Sequence, residues 1–205
     1  MDISRTIQLE DEAQFHIYDS LGDFNLTSDQ FEELWNQHPE EKEKVIVFGK
    51  IYDMPRFVRT YGKDYTFSNV EHYADPLDAI IIDNKPFLSD AIKYLEKHRN
   101  ITYNQVLINW YQDGQHYIGA HSDDEKQFDN YTVLCFNYCK RSRDIILTSK
   151  KKDVKKQRIE HSMNNNTGYE MYGSKFQKNY KHAVPKRAVK YKDERRISLT
   201  FRVFK

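Results

Sequence analysis

Arg196-Ile-Ser-Leu-Thr-Phe-Arg202 is the stretch from which the rest of the chain is best read. Taken as a strand, it sends Arg196, Ser198, Thr200 and Arg202 to one face and Ile197, Leu199, Phe201 and Val203 to the other. Two arginines and two hydroxyls on one face suit a pocket for a small dicarboxylate. A guanidinium grips a carboxylate through paired hydrogen bonds and keeps its charge when buried. A solvated barrel exterior would show the same alternation. Upstream lies His121-Ser122-Asp123. In extended chain, residues i and i+2 leave the same side, so one imidazole and one carboxylate can address a single ion. His182, on a later strand, would supply a third ligand. Two histidines and a carboxylate with positions left open is the arrangement expected of a non-haem Fe(II) oxygenase. His-x-Asp alone is weak, because most histidines are surface or core residues. Ligands followed by an anion-binding strand point to an oxygenase fed by 2-oxoglutarate.

Outward from these stretches the pattern is of short strands. Val106 to Tyr111 precedes the turn signal Asp113-Gly114, and Tyr117-Ile118 lead into His121. Further strands are expected over Tyr131 to Tyr138, Arg143 to Thr148 and Tyr169 to Tyr172, with another ending at His182. Lys150-Lys-Lys-Asp-Val-Lys-Lys156 reads as a solvated hairpin tip, with a DNA contact as the other reading. Nearer the start, Gln14 to Tyr18 suggests an edge strand. Thr27-Ser-Asp-Gln30 has the form of a capping box opening a helix with Phe31, Leu34 and Trp35 on its apolar stripe. Residues 86–98 read as a second amphipathic helix, and Val45 to Lys50 as one short β-rich segment. Strands separated by turn residues, after two helices, predict an α+β, mainly β chain: a jelly roll with helices packed on one side.

The length of 205 residues suits one domain, and 39% apolar residues, helped by 15 Tyr and 12 Phe, suffice for a core. No apolar run is long enough to span a bilayer and no secretory pattern opens the chain, so a soluble intracellular protein without membrane partners is expected. Cys135 and Cys139 then default to reduced thiols. A net charge of +1 hides an asymmetry. Residues 1–139 carry 12 Lys and Arg against 25 Asp and Glu, whereas residues 140–205 carry 20 against 6. Such polarity suits a protein that lays one face on a polyanion, although a two-toned solvated surface would look alike. Phe48, Lys50, Arg56, Arg59, Tyr61, Lys63, Tyr65 and Phe67 supply the aromatic and basic mix of a base-stacking, phosphate-holding surface. A buried aromatic layer beneath a loop fits the same composition. The basic runs would suit a nuclear protein, but no address signal accompanies them.

Asn109-Trp-Tyr111, Asp113-Gly114, Ile118-Gly-Ala-His-Ser-Asp-Asp-Glu125, His182 and Arg196 to Arg202 together resemble the AlkB family of Fe(II)/2-oxoglutarate nucleic-acid dealkylases. The resemblance continues upstream through Val47-Phe-Gly-Lys50, Pro55-Arg56, Tyr61-Gly62 and Tyr65-Thr-Phe-Ser68, where it is similar to the duplex-DNA-repair branch of the animal homologues. It covers roughly residues 45–205. It implies a double-stranded β-helix, with residues 1–44 as an N-terminal extension, a nucleotide-recognition lid over 45–85 and the jelly-roll core over 105–205. It implies His121, Asp123 and His182 as catalytic iron ligands, with Fe(II), O2 and 2-oxoglutarate as cofactors and co-substrate. Arg196 would pair with the distal carboxylate of 2-oxoglutarate, and Asn109, Tyr111, Thr200 and Arg202 would complete that pocket. Phe67 and His121 would sandwich a flipped base, beside Tyr65, with Asp124 and Glu125 at its polar edge. Phe48, with Val47 and Gly49, would be a wedge in the duplex. Lys50, Arg56, Lys186, Arg187 and Lys190 would hold phosphates. The expected partner is DNA, duplex rather than single-stranded, bound by a monomer. RNA demethylation, a catalytically silent damage-binding module and a sugar-binding or cupin-like jelly roll are the competing readings. The third leaves the paired arginines unexplained.

Overall fold

The computed structural model describes residues 1–67, 70–82, 86–123, 128–151, 158–188 and 191–205, with the side chains of Phe67, Ile81, Ile82, Pro86 and Asn130 outside that description. Its early strands are β1 (Arg5–Glu10), β2 (Ala13–Tyr18), β3 (Lys44–Val47), β4 (Lys50–Asp53), β5 (Phe57–Tyr61), β6 (Tyr65–Phe67) and β7 (Val70–His72). The later ones are β8 (Gln105–Tyr111), β9 (Ile118–His121), β10 (Phe128–Cys139), β11 (Arg143–Ser149), β12 (Arg158–Met163), β13 (Thr167–Tyr172), β14 (Tyr180–Val184) and β15 (Arg196–Phe204). The helices are α1 (Ser28–Trp35), α2 (Ala79–Ile82), α3 (Pro86–Arg99) and α4 (Phe176–Asn179).

Seven strands form the large antiparallel sheet in the order β1-β2-β13-β10-β15-β8-β5, and four form the smaller one, β12-β11-β14-β9. Alternation along β15 sets the layers. Ile197, Leu199 and Phe201 are fully buried on the outer face, packed with Phe31, Leu34 and Trp35 of α1 and Leu88, Ala91 and Leu95 of α3. Trp110 Nε1 donates to the Leu34 carbonyl at 2.9 Å and pins that helix to the sheet. A second core between the sheets joins Val133, Cys135, Ile145, Leu147 and Met171. Two sheets enclosing one core, with helices on one outer face, make a jelly roll. The Arg196 face of β15 is therefore interior, not a solvated exterior. The capping box forms as read: Thr27 Oγ1 accepts from the Gln30 amide and Gln30 Oε1 from the Thr27 amide.

Several expectations differ from what forms. The strand at residues 14–18 is not an edge, because β1 lies outside it and β13 inside. Residues 1–44, expected as an extension with one helix, hold that helix as α1 and also add β1 and β2 to the large sheet. Alternating polar residues in β1 masked that role. Val45 to Lys50 is not one segment but a hairpin. Val47 pairs with Lys50 across a two-residue turn in which Phe48 and Gly49 have φ of 50° and 75°. Positive φ at both central residues is the turn whose twist matches a hairpin, and it strains any residue except glycine. Within residues 45–85, β5 belongs to the large sheet, while β3–β4 and β6–β7 are separate two-stranded sheets. Strand β5 was not predicted, because Arg59 and Thr60 interrupt its apolar pattern. The lysine run lies mostly outside the described residues, but β11 and β12 on either side of it pair antiparallel. No helix among the described residues is long and apolar enough to cross a membrane.

Candidate active site

Register places the site. His121, at the end of β9, sits opposite His182 on β14, and their ring centroids are 4.2 Å apart. Beyond the strand the chain turns Asp123 between them, with Oδ1 3.9 Å from His121 Nε2 and Oδ2 3.6 Å from His182 Nε2. One donor atom from each residue lies within 4.8 Å of the other two. Local bonds hold this geometry. His121 Nδ1 donates to the Gly119 carbonyl at 2.9 Å, which turns Nε2 toward Asp123. The Ser122 hydroxyl donates to the Tyr180 carbonyl at 2.7 Å, and the Asp123 amide donates to Gln177 Oε1 at 3.0 Å. Arg202 donates to Asp123 Oδ1 at 3.3 Å and to Gln105 Oε1 at 2.7 Å.

Electrostatics suit ligation. Burial holds both imidazoles below their ordinary range, His182 down to about 3, so each is neutral with a lone pair available. Burial pushes the Asp123 carboxyl upward, but the net shift is downward, and beside neutral imidazoles the charged, hydrogen-bonding neighbour is the Arg202 guanidinium. Two neutral imidazole nitrogens and one carboxylate oxygen fit the donor set of a non-haem Fe(II) site.

A cavity of about 410 Å³, its open mouth included, runs from these residues along the inner face of the large sheet. Asn109, Tyr111, Arg196, Ser198 and Thr200 line it, because Tyr111 pairs with Arg196 and Asn109 with Ser198 across β8 and β15. Arg196 is 1% exposed. Its Nε donates to Asn137 Oδ1 at 2.6 Å and its guanidinium lies 4.7 Å from the Tyr111 ring centroid. Its Nη1 is buried without a hydrogen-bond partner among the described residues. A buried guanidinium donor left over at the side of a cavity is costly unless an acceptor reaches it. The distal carboxylate of 2-oxoglutarate is such an acceptor, so the residues present fit that co-substrate.

Other expected site residues fall elsewhere. Arg202 braces Asp123 from behind and is not among the cavity-lining residues. Arg56 is 4% exposed, with Nε donating to Asn109 Oδ1 at 2.6 Å. It braces the cavity wall, and burial removes it from the phosphate-holding surface expected of it. Tyr65 is buried, with the Arg202 guanidinium 5.1 Å from its ring centroid. Phe48, Gly49 and Lys50 stand exposed on the β3–β4 hairpin. Lys186 is exposed over the Tyr117 ring, whereas Arg187 pairs with the buried Glu194 at 3.1 Å. The Phe67 side chain, Asp124, Glu125 and Lys190 lie outside the described residues. Gln105, Asn137 and Gln177 support the site without being among the expected residues. Extending the Asn109–Tyr111 alternation back to Gln105 would have found the first. Asn137 and Gln177 carry no local signal, because only sheet pairing and the α4 turn bring them in.

Comparison with known proteins gives the same reading. Residues 21–202 match the profile of the 2OG-Fe(II) oxygenase superfamily. Human DNA oxidative demethylase ALKBH2 is 37% identical over 87 residues, 41% of this chain and 31% of that protein. The rat alpha-ketoglutarate-dependent dioxygenase alkB homolog 3 is 26% identical over 175 residues, 82% of this chain and 55% of its own. The chain thus spans well under two thirds of the length of either relative. The solved structure of OsALKBH1 superposes with a TM-score of 0.54 at 11% identity, covering 97% of this chain and 99% of that one, which speaks for the fold alone. The His-Asp-His cluster, the arginine-walled cavity and the match over 21–202 together make this chain a member of the 2OG-Fe(II) oxygenase superfamily, within its AlkB family.

Proposed function

We propose that the chain repairs DNA by oxidative demethylation of bases methylated on the pairing edge, 1-methyladenine and 3-methylcytosine, with duplex DNA as the preferred substrate. His121, Asp123 and His182 hold Fe(II). Arg196 anchors the distal carboxylate of 2-oxoglutarate beside Asn109, Tyr111 and Thr200. With these and O2 bound, the site supplies an oxidant that hydroxylates the N-methyl carbon as 2-oxoglutarate becomes succinate and CO2; the hydroxymethyl adduct then loses formaldehyde and leaves the free base.

The chain's own residues present the base. A methyl group on the pairing edge is out of reach inside the stack, so the nucleotide is extruded at a cost of a few kcal/mol, less where methylation has already broken the pair. The observation that carries the duplex reading is Phe48. It is 101% exposed at the tip of a hairpin, with φ of 50°. Holding a bulky apolar side chain outward in a strained turn has no folding rationale, whereas an apolar wedge that fills the gap left by a flipped base has one. The 37% identity to ALKBH2, named as a DNA oxidative demethylase, supports the same substrate class. The excess of basic residues after residue 139 supports a polyanionic partner.

Matched single- and double-stranded oligonucleotides bearing one methylated base, assayed by formaldehyde release, test this reading. Faster turnover of the duplex is expected. Preference for RNA, or for single strands alone, would replace it with the RNA-demethylase reading.

A further inference from the structure

The hairpins β3–β4 and β6–β7 each form a two-stranded sheet outside the two large ones. A lone two-stranded hairpin is marginal in water, so each depends on side chains that fasten it. The first is rooted by Val45 and Met54, which pack with Val58, and by the Met54 amide donating to the Glu43 carbonyl at 2.7 Å. Glu43 thus sits at a fixed point at the base of that hairpin. Its side chain crosses to the other hairpin, where its carboxylate accepts a hydrogen bond from Nδ1 of His72.

His72 is 5% exposed on β7, in register with Tyr65 on β6. The two rings stack with centroids 4.9 Å apart and planes at 21°. Tyr65 is also buried, and its other contacts reach the interior through the Arg202 guanidinium, which bonds Asp123. A carboxylate bound by a nearly buried imidazole is a charge-assisted contact with fixed geometry, not a loose surface ion pair.

We infer that Glu43 and His72 are positioning residues: their bond joins the two hairpins into one body and seats Tyr65 above Arg202. This rests on the reading that the hairpins present a methylated base, with Phe48 at the tip of the first. Strand β5 of the large sheet also anchors both hairpins, through Val58 to the first and through the backbone bonds of Thr60 and Gly62 to Asp75 beside the second. The Glu43–His72 bond adds a direct side-chain contact between them. Small misplacements at a reacting centre cost rate far out of proportion to their size.

The test compares His72→Leu, Glu43→Ala, the double variant and His72→Asn, which keeps an N–H close to the Nδ1 position. KM and kcat are measured on a methylated duplex, 2-oxoglutarate consumption is measured without nucleic acid, and amide exchange is followed in both hairpins. His72→Leu and Glu43→Ala should each raise KM about tenfold, the double variant no further, and His72→Asn should recover most of the loss. Consumption of 2-oxoglutarate without nucleic acid should stay within about twofold of wild type, and exchange should quicken in both hairpins together. Unchanged exchange, an unchanged KM, additive single losses or no recovery in His72→Asn would each overturn the inference. If exchange responds as expected but wild type demethylates no nucleic acid, the junction stands and the substrate reading falls.

Discussion

On the inner face of β8, β15 and β10, Gln105, Asn109, Asn137, Arg196, Ser198 and Arg202 are all at most 5% exposed. On the β3–β4 hairpin, Val47, Phe48, Ile51 and Tyr52 are 41%, 101%, 69% and 50% exposed. The usual placement is reversed in both regions, polar side chains buried in one and apolar side chains solvated in the other. In the sheet, polar groups pair across neighbouring strands, Arg202 with Gln105 and Arg196 with Asn137, so that burial is offset by hydrogen bonds. On the hairpin, among the described residues, no such pairing offsets the exposure. The buried face pairs polar groups within the fold, whereas the hairpin leaves its apolar side chains exposed.

Substitutions can break or sharpen this contrast. His182→Ala should lower 2-oxoglutarate turnover on the order of a thousandfold, about 4 kcal/mol of metal-dependent stabilisation, while DNA affinity by fluorescence anisotropy persists. Loss of both together would show that the two regions are not separable. Arg196→Met removes the buried guanidinium but keeps its volume. The KM for 2-oxoglutarate should rise about a hundredfold with iron affinity unchanged, since the charge-assisted bonds lost are worth about 1.5–3 kcal/mol each. An unchanged KM would place the dicarboxylate elsewhere. Phe48→Ala should cut kcat/KM on duplex about tenfold and leave single-strand turnover within about twofold. An equal fall on both would make Phe48 a general contact rather than a wedge. Gln177→Leu should weaken iron binding by roughly fivefold, because it bonds the Asp123 amide and not the ligating carboxylate. A larger loss would move Gln177 into the tight inner support of the site.

The same contrast explains what the sequence made legible. The buried face was readable because a strand's period of two puts functional residues at i and i+2. Asn109 with Tyr111, and Arg196 with Ser198 and Thr200, follow that spacing on β8 and β15, whereas Asp123 lies past the end of β9 and is turned toward His121 beyond it. Arg56 looks like part of a basic surface in sequence because Lys50 and Arg59 are its neighbours, while only the pairing of β5 with β8 sets it against Asn109. The N-terminal strands carry a weak sequence signal because β1 pairs at the sheet's outer edge, where its alternation carries little apolar signal. Glu43 and His72, 29 positions apart, have no pattern that joins them before the hairpins fold. Long-range side-chain contacts of that kind leave no periodic trace.

The central claim, that an iron and 2-oxoglutarate centre acts on a base delivered by the hairpins, is tested most directly by mass. A duplex oligonucleotide carrying one 1-methyladenine is incubated with the protein, Fe(II), ascorbate and 2-oxoglutarate. The account predicts loss of one methyl group, dependent on both iron and 2-oxoglutarate and abolished in His182→Ala. An unchanged mass in protein shown to bind iron and to consume 2-oxoglutarate would contradict it.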